Sequence, residues 1–316
     1  MKPRVPTMKK VSGLIVALLT ALVIGVGFLI HAFIIEPEPS VEAVACVPVN
    51  SENVSIEASA AYVINLKTNE VLYAREAQAQ MPLASLTKLM TTLVASEVLD
   101  GSEVVTIYPE ALSVEGESGL VPNELWRVRD LIDFTLITSS NDGAHALALA
   151  VKKSDEKERG RNNFNFVSAM NAKAEQLQLT QTYFLNDTGL DVSTQTAGAY
   201  GSAEDVARLL SYVYSEALNA FNASATSRDV FYSVSGIEHV ARHTSDITGV
   251  LPGEVIAKTG FTDLAGGNLG VVVEVFPGTP IAIVVLNSTR EARDSDVATL
   301  YHFSREALKR ATLCAI

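Results

Sequence analysis

Residues 11–35 form a nearly uninterrupted apolar run, which follows four cationic residues and precedes Glu36 and Glu38. As a helix this run is roughly 37 Å long, enough to cross a bilayer core of about 30 Å. A buried core helix is the alternative, but it would not be apolar all round with such unequal charges at its ends. The pattern therefore predicts a cytoplasmic tail at residues 1–10, a transmembrane anchor at 11–35 and an extracytoplasmic remainder.

A signal-peptide cleavage site is a second interpretation of the same region. The small residues Ala43–Ala45 fit such a site, and Cys46 after them suggests lipidation, but the apolar run is too long for a typical signal peptide and ends well before that point. We expect an uncleaved signal anchor. Residues 36–57, with scattered prolines and glutamates, predict an extended linker.

Residues 58–316 carry the patterns of one folded domain. Apolar and β-branched residues predict a hairpin over 61–73 and later strands at 230–234, 254–259, 267–275 and 281–286. Helical periodicity predicts helices at 86–99, 128–137, 143–151, 164–179, 203–218 and 296–310. Strands at both ends with helices between them indicate a mixed α/β domain, in which one sheet joins the hairpin to the last strands.

Composition narrows the classes of function. The 316 residues carry a net charge of −12 with no broad basic face, which argues against nucleic acid as a partner. An anionic ligand would need a few local cations. The 2 cysteines, Cys46 and Cys314, cannot form a disulfide scaffold; they could pair with each other or remain free thiols.

The strongest candidate chemistry lies at Ser85 and Lys88, which follow Pro82 at a predicted helix start. Residues three apart share a helix face, so the amine can reach the hydroxyl and act as its base. A lysine does this only if apolar burial or a second cation lowers its pKa. A helix N-cap is the structural alternative for Ser85.

The chain contains a second serine and lysine at this spacing, Ser154 and Lys157, which shows that spacing alone is weak evidence. That copy lies in the charged run Lys152–Arg161, which we interpret as a surface loop with a solvated, protonated lysine.

Two later motifs could complete a site around Ser85. Ser139 and Asn141, two residues apart at a helix junction, can direct a hydroxyl and an amide into one cleft, although an N-cap is an alternative role for Asn141 or Asp142. Lys258, Thr259 and Gly260 at a strand end offer a cation, a hydroxyl and room for a substrate backbone. A lysine there could hold a carboxylate and lower the pKa of Lys88, or it could simply lie in water.

In this order, the three motifs resemble the serine penicillin-recognising enzymes. The sequence is most similar to the D-alanyl-D-alanine carboxypeptidases of peptidase family S11, the low-molecular-weight penicillin-binding proteins. The stretches that carry the likeness are 84–91, 139–142, 166–171, 186–191 and 258–267. The resemblance implies a β-lactamase/DD-peptidase-like fold, with a mostly antiparallel sheet flanked by helices and a helical subdomain.

The resemblance also implies roles. Ser85 would be the acylated nucleophile, Lys88 its base, and Ser139 with Asn141 the proton relay and substrate contacts. Lys258 and Thr259 would bind the terminal carboxylate beside Gly260, and the N–H groups of Ser85 and Phe261 would form the oxyanion hole. The implied ligands are peptidoglycan stem peptides ending in D-Ala-D-Ala and β-lactams, and neither metal nor cofactor is expected.

The sequence departs from the family pattern at two places. The family pattern Asn-Pro-x-Gly-Leu corresponds to Asn186–Leu190, where Asp187 stands in place of the proline. The Asn/Thr-rich segment that usually precedes the Lys-Thr-Gly motif is replaced by Arg242–Asp246. The second change puts subsite preference in doubt. The trailing β-rich domain and C-terminal amphipathic anchor of many relatives are not found after the domain, which favours the N-terminal helix as the membrane attachment.

Two other functions remain open beside the carboxypeptidase. The protein could be a D,D-endopeptidase that cleaves cross-links, or a membrane-bound β-lactam or peptidoglycan sensor that acylates without turnover; a β-lactamase is disfavoured because no deacylating glutamate motif is clear. His239 and His243 have zinc-site spacing for a helix, but Val240 replaces the catalytic glutamate and the segment favours strand or loop. We interpret them as surface histidines.

Overall fold

The computed structural model describes residues 54–160, 164–221 and 223–314, all within one compact unit, Pro48–Ile316. The anchor predicted at 11–35, most of the linker, Cys46 and the side chain of Cys314 lie outside what is described. Among the described helices, none combines the length and the apolar character that a membrane span requires.

The described residues form twelve strands and six α-helices. The strands are β1 (Ala60–Asn65), β2 (Val71–Arg75), β3 (Met81–Pro82), β4 (Val104–Thr106), β5 (Leu125–Arg127), β6 (Tyr183–Phe184), β7 (Ala199–Gly201), β8 (Arg228–Tyr232), β9 (Glu238–Arg242), β10 (Glu254–Thr262), β11 (Gly266–Phe276) and β12 (Thr279–Ser288). The helices are α1 (Thr87–Val98), α2 (Val128–Thr138), α3 (Asn141–Arg159), α4 (Phe166–Gln176), α5 (Ala203–Glu216) and α6 (Arg293–Cys314). Three 3-10 turns cover Ala84–Leu86, Pro109–Ser113 and Leu218–Ala220.

The main sheet has five strands in the order β10-β11-β12-β1-β2, and every neighbouring pair is antiparallel. The N-terminal hairpin therefore joins the C-terminal strands through the pairing of β1 with β12, as the sequence predicts. The mixed α/β class with a mostly antiparallel sheet is confirmed.

Both faces of this sheet are buried, which explains why β12 is apolar at consecutive positions. Ala282, Val284 and Leu286 pack into one core with the helices of the middle of the chain. Their neighbours Ile281, Ile283 and Val285 pack into a second core, which also contains Val297, Leu300 and Tyr301 of α6. Alternate residues of a strand point to opposite faces, so one strand supplies both cores.

Helix α1 is buried at every position from Thr87 to Ala95. A helix buried all round must be covered on several sides, and α2, α3, α4 and α5 all pack against it. This burial places the side chain of Lys88 inside the protein. It is the structural condition that a lysine base requires.

The predicted loop at Lys152–Arg161 is wrong for most of its length, because α3 continues through it to Arg159. Lysine, glutamate and arginine are good helix formers, and the first breaker is Gly160, which ends the helix in a left-handed conformation with φ 62°. Lys157 is exposed, as its solvated interpretation requires.

Candidate active site

Ser85 lies on the 3-10 turn Ala84–Leu86 immediately before α1, not within the α-helix. The backbone of Ala84 has φ 48°, which is unfavourable for a residue with a side chain and is typically retained only where the surroundings enforce it. A Cβ at Gly189 would lie 1.9 Å from the Ala84 carbonyl oxygen. The turn that carries Ser85 is therefore packed tightly against the segment around Gly189.

Lys88 lies at the centre of three contacts. Its Nζ is 2.8 Å from Ser85 Oγ, 2.6 Å from Asn141 Oδ1 and 2.7 Å from the carbonyl oxygen of Thr188. A neutral amine has two N–H donors and one lone pair, so it can donate to Asn141 and Thr188 while it accepts the Ser85 proton. The contacts therefore orient the lone pair towards the hydroxyl.

Burial lowers the pKa of Lys88 from 10.5 to about 7, and the negative charge of Asp187 opposes this shift. The side chain is 0% exposed, so no water solvates its ammonium form. At neutral pH a large fraction of the molecules thus carries a free base beside Ser85. Burial is the main cause of this shift, and the repulsion between Lys88 and Lys258 lowers the pKa of Lys258.

Ser139 and Asn141 lie at the junction between α2 and α3, as predicted. Ser139 ends α2 in the left-handed conformation with φ 59°, which costs energy for a non-glycine residue. The amide of Asn141 is held by donation from Nδ2 to the Glu115 carbonyl at 2.7 Å, so its Oδ1 faces Lys88. The predicted cap at Asn141 or Asp142 is wrong, because Ser140 accepts the Gly143 N–H at 2.8 Å.

Lys258 on β10 lies opposite Ser139, with Nζ 2.7 Å from Ser139 Oγ and 2.8 Å from the Thr259 carbonyl oxygen. It is fully buried, so the alternative of a strand-end lysine in water is wrong. Burial, then repulsion from Lys88 and Arg293, lowers its pKa well below the usual range. Two lysines thus face one cleft, and a positive charge on one disfavours protonation of the other.

Gly260 brings strand β10 against the nucleophile turn. A Cβ at this position would lie 2.8 Å from the Leu83 carbonyl oxygen and 3.3 Å from the Leu86 nitrogen. Only glycine permits this approach without a shift. Phe261, the next residue, is 42% exposed. It lies on β10, which is an edge strand of the main sheet.

The structure brings together Ser85, Lys88, Asn141, Ser139 and Lys258, together with the strand segment that they face. The catalytic and binding roles of these residues remain predictions.

Sequence reasoning missed two residues that support the site. Thr188 supplies its carbonyl to Lys88, and the signal for it is its place in segment 186–191, one of the stretches that carry the family likeness. Arg293 is 4% exposed and donates to the Gly260 carbonyl at 3.2 Å and to the Thr244 carbonyl at 2.7 Å. It carried no sequence signal, because it lies at the start of a helix far along the chain.

The two histidines weighed as a zinc pair are not on a helix. His239 lies on β9, and His243 follows that strand. The interpretation of His239 as a surface residue is wrong: it is 7% exposed, and its Nε2 lies 2.7 Å from Oε1 of buried Glu124. His243 is half-buried, and burial together with the positive charge of Lys258 lowers its pKa to about 4.

Comparison with known proteins agrees with this geometry. The profile of the D-alanyl-D-alanine carboxypeptidases, Peptidase S11, matches residues 47–290. The chain belongs to this family. It is 30% identical over 254 residues to the D-alanyl-D-alanine carboxypeptidase DacF of Bacillus subtilis, covering 78% of this chain and 62% of DacF. It is 29% identical over 241 residues to a D-alanyl-D-alanine endopeptidase of Escherichia coli, covering 74% of this chain and 72% of that protein.

The fold is likewise similar to a solved member of the penicillin-binding proteins. Penicillin-Binding Protein D2 of Listeria monocytogenes, in its ampicillin-bound form, superposes with a TM-score of 0.65 at 29% identity. The superposition covers 80% of this chain and 99% of that one. The DD-peptidase-like fold expected from the sequence is thereby confirmed for this family member.

Proposed function

We propose that this protein is a serine D-Ala-D-Ala carboxypeptidase that trims peptidoglycan stem peptides through an acyl-enzyme on Ser85. The observation that carries the proposal is the buried Lys88 amine, 2.8 Å from Ser85 Oγ and with a pKa lowered to about 7. An inert hydroxyl becomes a nucleophile when such a base takes its proton.

In the proposed reaction, Lys88 takes the Ser85 proton while Oγ attacks the carbonyl carbon of the penultimate D-alanine. The oxyanion is stabilised by the N–H groups of Ser85 and Phe261. Collapse breaks the peptide bond, and the proton passes from Lys88 to the departing amine with Ser139 as relay. Water, activated by the same base, then hydrolyses the ester and restores Ser85.

Binding of the terminal carboxylate is assigned to Lys258 and Thr259. Lys258 offers an amine inside the cleft, and its Nζ already donates to Ser139 Oγ. An anion there would favour the charged form of this buried amine, which burial otherwise opposes. β-Lactams, which the related Listeria protein binds as ampicillin, would acylate Ser85 in the same pocket.

Cleavage of peptide cross-links is the second candidate. It is favoured by the endopeptidase relative, of which this chain covers 72%, a larger share than the 62% of DacF. The non-turnover sensor is a third outcome. For location, we propose a single-pass anchor over residues 11–35 with the catalytic domain outside the cytoplasm, supported by the apolar run and the cations before it.

The test is incubation of the purified protein with a pentapeptide muropeptide and, separately, with a cross-linked muropeptide dimer. We expect free D-alanine from the pentapeptide and none from the matched Ser85→Ala variant. Release of monomers from the dimer would show that the protein is an endopeptidase and not a carboxypeptidase. A stable adduct without product would indicate the sensor, and absence of any product or adduct would contradict all three.

A further inference from the structure

His145 and Asp187 form an ion pair behind the catalytic lysine. His145 Nδ1 lies 2.7 Å from Asp187 Oδ2, and the two side chains are 26% and 12% exposed. Asp187 lies in the turn Asn186–Leu190, directly before Thr188. The proposed chemistry does not use either residue directly.

The pair connects two elements that both contact Lys88. His145 lies on α3 one helical turn after Asn141, so the two side chains share a face. Asp187 directly precedes Thr188, whose carbonyl oxygen is 2.7 Å from Lys88 Nζ. The ion pair therefore ties the helix that presents Asn141 to the turn that presents the Thr188 carbonyl.

The turn is held from two further directions. The Asp187 carbonyl accepts a hydrogen bond from Thr91 Oγ1 at 2.7 Å, and Asn186 Oδ1 accepts the Gly189 N–H at 2.7 Å. These bonds hold the turn at α1, and the His145–Asp187 contact attaches the same turn to α3. The negative charge of Asp187 raises the pKa of Lys88.

We propose that the His145–Asp187 ion pair positions the Thr188 carbonyl against Lys88 and sets the pH at which Ser85 becomes reactive. The positive imidazolium offsets the Asp187 carboxylate, which by itself would make Lys88 retain its proton. This proposal rests on the proposed function, because it concerns the base of that same reaction.

The charges around the pair are consistent with this arrangement. The hydrogen bond that His145 donates to Asp187 is the main cause that raises the pKa of His145, with Glu110 of the 3-10 turn and Asp142 of α3 adding to it and burial opposing it. Asp187 in turn raises the pKa of Lys88 against the effect of burial. Lys258 faces Lys88 from β10, and the two amines repel each other.

The test is the second-order rate constant for acylation by a fluorescent penicillin, measured across pH in the full protein. In His145→Gln the carboxylate is no longer offset, so the midpoint of the profile should rise by roughly half a unit to one unit. Below the midpoint the rate should fall about three- to tenfold, while the plateau at high pH is little changed. Asp187→Asn should move the midpoint in the opposite direction.

Two further variants isolate the coupling. In the Asp187→Asn background, His145 loses the partner that raises its pKa, so adding His145→Gln should produce little further shift. Glu110→Gln removes an exposed carboxylate that faces His145 but does not contact Lys88, and it should leave the midpoint in place.

Changes in plateau or thermal midpoint without any shift in the pH profile would overturn the proposal, as would shifts of the same sign in both single variants. Wild-type protein that is not acylated at any pH would instead contradict the proposed function.

Discussion

Lys88 is the residue on which the chemistry depends, and its reactivity comes from its surroundings. Its side chain is fully buried, whereas that of Lys157, which also follows a serine by three residues, is exposed. Both lysines lie on helices with identical spacing from Ser85 and Ser154. Burial, and not spacing, therefore distinguishes a base from an ordinary cation.

Replacing Lys88 by methionine removes the amine and keeps the apolar length of the side chain. We expect acylation of Ser85 by a fluorescent penicillin to slow by about 10²–10⁴-fold, the usual contribution of a general base. The measurement is the labelling rate on a gel, with folding checked by circular dichroism. Lys157→Met is the matched control and should label at the wild-type rate. Equal loss in the two variants, or no loss in Lys88→Met, contradicts the role assigned to Lys88.

Among the elements, the turn Asn186–Leu190 packs tightly against the turn that carries Ser85. Gly189 has φ 83°, and a Cβ there would lie 1.9 Å from the Ala84 carbonyl oxygen and 2.6 Å from Thr87 Oγ1. Any side chain must displace the backbone of the turn that carries Ser85. The position of this segment thus controls the nucleophile as well as the Thr188 carbonyl.

Gly189→Ala should therefore reduce both stability and acylation, because the methyl group cannot fit without moving Ala84. Gly236 is a matched control, since its φ of 84° is nearly the same but no atom lies within 4 Å of a Cβ there. Gly236→Ala should cost only the backbone strain of about 1–2 kcal/mol and leave acylation unchanged. Thermal unfolding and the labelling rate, measured for both variants, check this. Similar effects in the two variants would show that packing against Ala84 is unimportant.

For the whole molecule, the local patterns of the sequence predict the elements better than they predict the site. The α/β class, the pairing of the hairpin with the last strands and the helices at residues 128 and 203 follow from periodicity, which is a local property. The loop predicted at Lys152–Arg161 differs from the helix that extends to Arg159, because charge predicts exposure, whereas lysine, glutamate and arginine are also good helix formers. The short strands β6 and β7, with 2 and 3 residues, are too brief for a pattern to reveal.

The sequence predicts those residues of the site that stand in recognisable short motifs. Ser85, Lys88, Ser139, Asn141 and Lys258 each stand in a short motif, and the structure brings them together. Arg293, Thr188 and the His145–Asp187 pair act through contacts between residues far apart in the chain. No spacing rule identifies such partners, because the fold alone decides which of many buried carbonyls and carboxylates they meet.

The most direct test is the pH dependence of Ser85 acylation in the unmodified protein. The base must be neutral to act, and the pKa of Lys88 is lowered to about 7. The second-order rate constant with a fluorescent penicillin should therefore rise about tenfold per unit below pH ~7 and level off above it. A rate that keeps rising towards pH ~10, where an ordinary lysine loses its proton, or a rate independent of pH would contradict a buried lysine as the base of Ser85.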